Sequence, residues 1–116
     1  MKRKPDYIYR CVVDRCVDGD TVDARVDLGF TVWVNVRFRL YGINTPERGQ
    51  DGYKAATERL EELLSAPEVY VESRKTGKYG RWLGVFYVPD ESDAGFVDIN
   101  AKMILEGYAA PYMEKR

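Results

Sequence analysis

Between Val22 and Leu40 the chain alternates apolar and polar residues with a period of two, interrupted once. Val22, Ala24, Val26 and Leu28 alternate with Asp23, Arg25 and Asp27; beyond Gly29, Val32, Val34, Val36, Phe38 and Leu40 repeat the pattern. A period of two turns one face of a strand toward a core and the other toward water, so two half-buried strands are expected here, joined at the glycine. Upstream, residues 7–17, YIYRCVVDRCV, are rich in β-branched and aromatic types, and Asp18-Gly19 follows as a turn signal. Three consecutive strands with such short connections predict an antiparallel meander.

Residues 42–52, GINTPERGQDG, are too rich in turn formers to continue the strand. From Tyr53 the period changes: Ala56, Leu60, Leu63 and Leu64 form the stripe of an amphipathic helix, which Ser65-Ala66-Pro67 ends. Val69 and Val71 alternate with Tyr70 and Glu72 in a fourth strand, and Trp82 to Val88 reads as a fifth, closed by Pro89. Asp98 is placed to cap a helix running through Ile99, Met103, Ile104 and Leu105, with Gly107 as its stop. The order βββαββα predicts a mainly β fold: a small closed antiparallel barrel of five strands with two helices, of OB-fold type, as a single domain over residues 1–116. No apolar run is long enough to span a bilayer, and the basic N-terminus lacks the apolar region of a secretory signal. A cytoplasmic protein is therefore expected, unless a leader has been removed.

Composition narrows the chemistry. The chain has no His, which removes Ser-His-Asp and Cys-His catalysis and every His-ligated metal site. Its two cysteines, Cys11 and Cys16, cannot make a four-cysteine zinc site. Five residues apart on an extended segment they should face opposite ways, as half-buried free thiols in a reducing compartment. What remains is carboxylates, Arg, Lys, Tyr, backbone groups or an oxygen-ligated cation. The formal net charge is only -1, but it is unevenly spread. Residues 57–73 carry five Glu against Arg59, residues 74–81, RKTGKYGR, are basic without an acid, and residues 82–100 are acidic without a base. Such a balance does not favour tight, non-specific duplex binding, but it permits one local phosphate clamp.

Three clusters could carry chemistry: Asp18-Gly19-Asp20-Thr21, the run Arg39 to Glu47, RLYGINTPE, and Lys78-Tyr79-Gly80-Arg81. Each has an ordinary reading: a hairpin turn, a surface cation on a strand, and a basic loop. Their joint occurrence in this order, from about Tyr7 to Tyr112, resembles the staphylococcal nuclease family. That resemblance implies an OB-fold and a Ca²⁺-dependent phosphodiesterase acting on DNA and RNA. It further implies Asp20, Asn44 and the backbone carbonyl of Thr45 as calcium ligands, hard oxygens of the kind Ca²⁺ selects. Glu47 matches the residue drawn as general base, and Arg39 and Arg81 match the two arginines that grip the scissile phosphate. Lys78 and Tyr79 match residues near a nucleotide's terminal phosphate, and Tyr112 one that touches base or sugar. Asp18 is expected to form the turn or to support the ligands.

The chain departs from the family in three places. Asn44 stands where most members place an Asp, so calcium binding should be weaker. The stretch between Glu47 and Tyr53 is short, which should leave the cleft open. No further helix follows the second one, which leaves Tyr108, Tyr112 and Met113 to cover core or a partner. A monomer is expected, with dimerisation through that region as the alternative. The substrate expected is single-stranded or frayed nucleic acid and no membrane is involved. The competing reading is an OB-fold module of the same ancestry that holds nucleic acid or a protein without cleaving it.

Overall fold

The computed structural model describes residues 5–74, 81–92 and 94–113. Strands β1 (Ile8–Asp18), β2 (Thr21–Asp27) and β3 (Trp33–Leu40) form the expected meander. A two-residue strand β4 (Ile43–Asn44), helix α1 (Tyr53–Leu63) and strands β5 (Val69–Arg74) and β6 (Trp82–Pro89) follow. The described chain continues through β7 (Phe96–Asp98), helix α2 (Ile99–Leu105) and β8 (Ala110–Pro111). β1 pairs with β5 and β5 with β6, both antiparallel. β6 then returns to β3 and closes five strands into a mainly β barrel consistent with an OB-fold.

The closing pair is parallel, with Phe38 opposite Trp82, Arg39 opposite Leu83 and Leu40 opposite Gly84. Parallel neighbours need a long crossover, and α1 with β5 supplies it between these two strands. The short strands β4, β7 and β8 lie outside the five expected. β7 extends the sheet beyond β6, and β4 pairs with β8, which draws the end of the described chain back against the β3–β4 turn.

Inside the barrel, Phe38 and Phe86 meet edge to face with centroids 5.6 Å apart. Gly84 makes room for them: a Cβ there would lie 2.9 Å from both Phe38 and Val71. α1 packs through Ala56 and Leu60, α2 through Ile99 and Met103, all buried. Asp98 caps α2 as expected, its carboxylate accepting from the Ala101 amide at 2.9 Å. Gly107, in the left-handed region at φ 86, ends it. None of the described helices is long and apolar enough to cross a membrane.

One buried polar side chain ties these layers together. The Asn100 amide oxygen accepts from the Phe86 amide at 3.1 Å, while its nitrogen donates to Tyr41 and Gly84 carbonyls at 2.9 and 3.0 Å. It thus couples α2 to β6 and to the turn after β3.

Two expectations from the alternation pattern need revision. The outer half of the β2–β3 hairpin has no cover: Leu28, Val32 and Val34 are exposed, because β1 pairs with β2 only as far as Val26 and β6 meets β3 only at its end. The cysteines do not face opposite ways. The register of β1 against β2 shifts between Val13 and Arg15, leaving Asp14 unpaired, and this extra residue reverses the alternation. Cys11 and Cys16 therefore both enter the core, buried rather than half-buried, and remain free thiols.

Burial pushes both thiols up from 9.0 to about 12, at Cys16 with help from the charges of Glu61 and Asp18. A thiol whose pKa is raised on folding stabilises the fold fully below its unfolded value and progressively less above it. Alkylation at pH 8 should leave both cysteines unmodified until denaturant is added, and stability should fall as pH rises from about 9 toward 12. Rapid labelling of the native protein would contradict this packing.

Candidate active site

The site forms where the start of β2 and the end of β3 run side by side, with Thr21 opposite Arg39. The Asp20 carbonyl accepts from the Leu40 amide at 2.8 Å, fixing the β1–β2 turn against the end of β3. In that turn Asp18 accepts from the Asp20 amide at 3.1 Å, the local bond expected of an Asx turn. Gly19 is needed for closeness rather than for an unusual φ. A Cβ on it would come 2.9 Å from the Ala56 Cβ and from Thr45 Oγ1, so a side chain here would push apart the turn, α1 and the Thr45 loop. In the sequence alone, Gly19 reads only as a turn former.

Arg39 is 8% exposed and organises the loop that follows it. Its Nη1 donates to the Leu40 and Ile43 carbonyls at 3.0 and 2.8 Å, and its Nη2 donates to Asn44 Oδ1 at 2.9 Å. The same nitrogen lies 3.6 Å from Asp20 Oδ2. That oxygen also accepts from the Thr45 amide at 3.0 Å, and Asp20 Oδ1 accepts from the Thr21 hydroxyl at 3.2 Å. A buried carboxylate, a buried guanidinium and residues 40–45 thus form one hydrogen-bonded unit.

Burial by itself would push the Asp20 carboxyl up. Hydrogen bonds from the Asp18 carboxyl and the Thr45 amide, together with the Arg39 charge, outweigh burial and hold it below the usual range. Burial and the neighbouring Asp20 carboxylate push Asp18 the other way. Asp20 is therefore the stronger acid of the two.

Around this unit opens a cavity of about 370 Å³ lined by Asp18, Asp20, Arg39, Asn44, Thr45, Glu47, Arg81 and Tyr112, with Thr21 and Pro46. The segments that meet there come from four separate parts of the chain. Glu47 and Arg81 are exposed, and neither side chain forms a hydrogen bond or ion pair among the described residues. Glu47 is presented on a turn closed by Gln50, whose Oε1 accepts from the Glu47 amide at 2.7 Å. Tyr112 is brought in by the β4–β8 pairing and by its amide bond to the Gly42 carbonyl at 2.8 Å, and its ring lies 5.5 Å from the Arg39 guanidinium carbon. Lys78 and Tyr79 fall outside the described residues. The two arginines are in different situations: Arg39 is committed to protein partners, while Arg81 offers an open guanidinium.

Asp20, Asn44 and Thr45 bring hard oxygens to one wall, the donor type that suits a divalent cation such as Ca²⁺. Among the described residues no group of three His, Cys, Asp or Glu side chains is placed to hold a metal. A cation here would have to complete its coordination with a backbone carbonyl, waters and a ligand oxygen. Thr45 Oγ1 is buried with no hydrogen-bond partner, at the same wall.

Comparison with known proteins points to one family. A family model described as staphylococcal nuclease homologue matches residues 37–116. The chain is 38% identical to a micrococcal nuclease of Shigella flexneri over 107 residues, 90% of this chain and 59% of that protein. It is 34% identical to Protein ParB of Escherichia coli over 103 residues, 86% of this chain and 55% of the relative. It is 32% identical to a protein of Escherichia coli O157:H7 named as an endonuclease, over 100 residues, 86% of this chain and 59% of that one. The chain thus spans between 55% and 59% of the length of these relatives.

Proposed function

The chain belongs to the staphylococcal nuclease homologue family, and from that membership we propose that it is a Ca²⁺-dependent nuclease hydrolysing phosphodiester bonds of single-stranded or frayed DNA or RNA. The observation that carries this reading is the single cavity into which Asp20, Arg39, Asn44, Thr45, Glu47 and Arg81 all open. A barrel needs none of these polar groups at one place in order to fold.

Asp20, Asn44 and the Thr45 carbonyl are the residues that would hold the ion. Their donor chemistry fits it: all are oxygen, and Asp20 keeps its negative charge because its hydrogen bonds and Arg39 outweigh burial. Bound calcium would offset phosphate charge and make a coordinated water more acidic. Arg81, open to the cavity, takes the non-bridging phosphate oxygens and meets the charge that develops as phosphorus becomes five-coordinate. Arg39, held by its bonds to the Leu40 and Ile43 carbonyls and Asn44, adds fixed positive charge beneath the same phosphate. Glu47, without a competing partner among the described residues, accepts the proton of the attacking water at its carboxylate. Attack in line with the 5′-oxygen breaks that P–O bond. The products are a 3′-phosphate and a 5′-hydroxyl, the latter completed by a proton from solvent. No imidazole is required, consistent with a chain that has none.

Incubation with single-stranded DNA should give cleavage at millimolar Ca²⁺ and none with chelator. Glu47→Gln and Arg81→Ala should each lower kcat by about a hundredfold or more. Binding without cleavage from neutral to alkaline pH would contradict the enzyme and favour a binding module.

Asn44 lowers the negative charge of the ion site and shares its amide oxygen with Arg39. Asn44→Asp should therefore tighten calcium by about 1 to 2 kcal/mol in calorimetry. Unchanged affinity would mean that residue 44 does not contribute to the ion site.

A further inference from the structure

A second cavity, of about 530 Å³, adjoins the first and shares Asp18, Thr21, Arg39 and Arg81 with it. Its further wall includes Val36, Arg37 and Trp82. Resting on the nuclease reading above, we propose that Trp82 is a stacking platform for the base of a nucleotide next to the scissile phosphate, and that it confers preference for single strands.

The chemistry of the added wall favours a flat neutral group over another phosphate. The Arg37 charge is already matched: its Nε and Nη2 donate to the two carboxylate oxygens of Asp23 at 2.7 and 3.0 Å. Val36 is aliphatic, and the Trp82 indole is 51% exposed. An indole half open to water beside a phosphate-binding arginine offers apolar area that a base can cover, and aromatic stacking accepts any base. Position supports the same reading. Trp82 directly follows Arg81 and is held in the parallel ladder opposite Phe38, next to Arg39. Its backbone is therefore fixed relative to both arginines. A base in a duplex is already stacked and paired, so only an unpaired one can reach the indole without paying for unstacking.

Trp82 also lines a hollow at the barrel mouth with Val34, Val36 and Phe38. Covering that mouth could be its whole role, in which case replacing it would alter stability and leave substrate affinity alone. The test separates the two. Cleavage of a single-stranded oligonucleotide is compared with cleavage of the same strand carrying abasic sites on either side of the scissile bond. Trp82→Ala should raise KM about tenfold on the intact strand while changing kcat less than threefold, and Trp82→Phe should recover most of the loss. On the abasic strand the wild type and Trp82→Ala should have equal KM. The chain has two Trp, so Trp33→Phe leaves Trp82 as its sole indole, and oligo(dT) should quench that emission on binding. This measurement holds even if Trp82→Ala does not fold. An unchanged KM, an equal rise on both strands, or binding without quenching would overturn the platform and leave the nuclease reading intact. Quenching by an oligonucleotide that is never cleaved would overturn the nuclease reading and retain the platform. Neither binding nor cleavage would overturn both.

Discussion

The buried contact between Asp20 and Arg39 is the constraint on which the rest of the site depends. Each group alone would be costly in a place less than a tenth exposed, and each makes the other tolerable. Three hydrogens of the guanidinium go to the Leu40 and Ile43 carbonyls and to Asn44, so the loop is wrapped around the charge. The second oxygen bond of Asp20, from the Thr45 amide, fastens the far end of that loop to the β1–β2 turn. Breaking a buried pair by removing one partner typically costs about 3 to 5 kcal/mol, far more than an exposed pair such as Arg25 with Asp14 contributes. The loop geometry is therefore set by electrostatics between two largely buried charges, and the cavity is what that geometry leaves open.

Chemistry can then be divided between fixed and free groups. Asp20 and Arg39 are immobilised and define where charge sits, whereas Glu47 and Arg81 are exposed and unengaged among the described residues. On the proposed reading, fixed oxygen donors beside an unengaged carboxylate and an unengaged guanidinium are a workable arrangement for hydrolysis without histidine. The same cavity sets Arg39 and Arg81 beside the three carboxyl groups of Asp18, Asp20 and Glu47, so on the proposed reading an anionic substrate is met by two guanidinium groups together with a bound cation.

Much of this was legible in the sequence because it rests on local rules. The two strands of the alternating runs, the Leu60–Leu64 stripe, the Asp98 cap and the Gly107 stop each depend on neighbours within a turn or two, and each appears in the fold, although the outer ends of the runs are exposed. Residues of all three motifs line one cavity, with Lys78 and Tyr79 outside the described residues. What sequence could not show depends on distant packing. A single unpaired residue, Asp14, turned Cys16 inward, and nothing in the local pattern marks such a bulge. The parallel closure of β3 on β6, the docking of β8 on β4 and the triple hydrogen bonding of Asn100 all join residues far apart in the chain. Gly19 and Gly84 look like turn and strand glycines, yet both are required because another side chain occupies the space a Cβ would take.

The claim that Asp20 and Arg39 build the site as one unit is tested most directly by a double-mutant cycle on stability, measured by urea denaturation in chelator with Asp20→Asn, Arg39→Gln and the pair. If the two groups stabilise each other, each single change is destabilising and the double variant loses less than their sum by at least about 1 kcal/mol. Losses that add to within about 0.5 kcal/mol would mean that the two charges are held independently, and the account of the loop given above would fail.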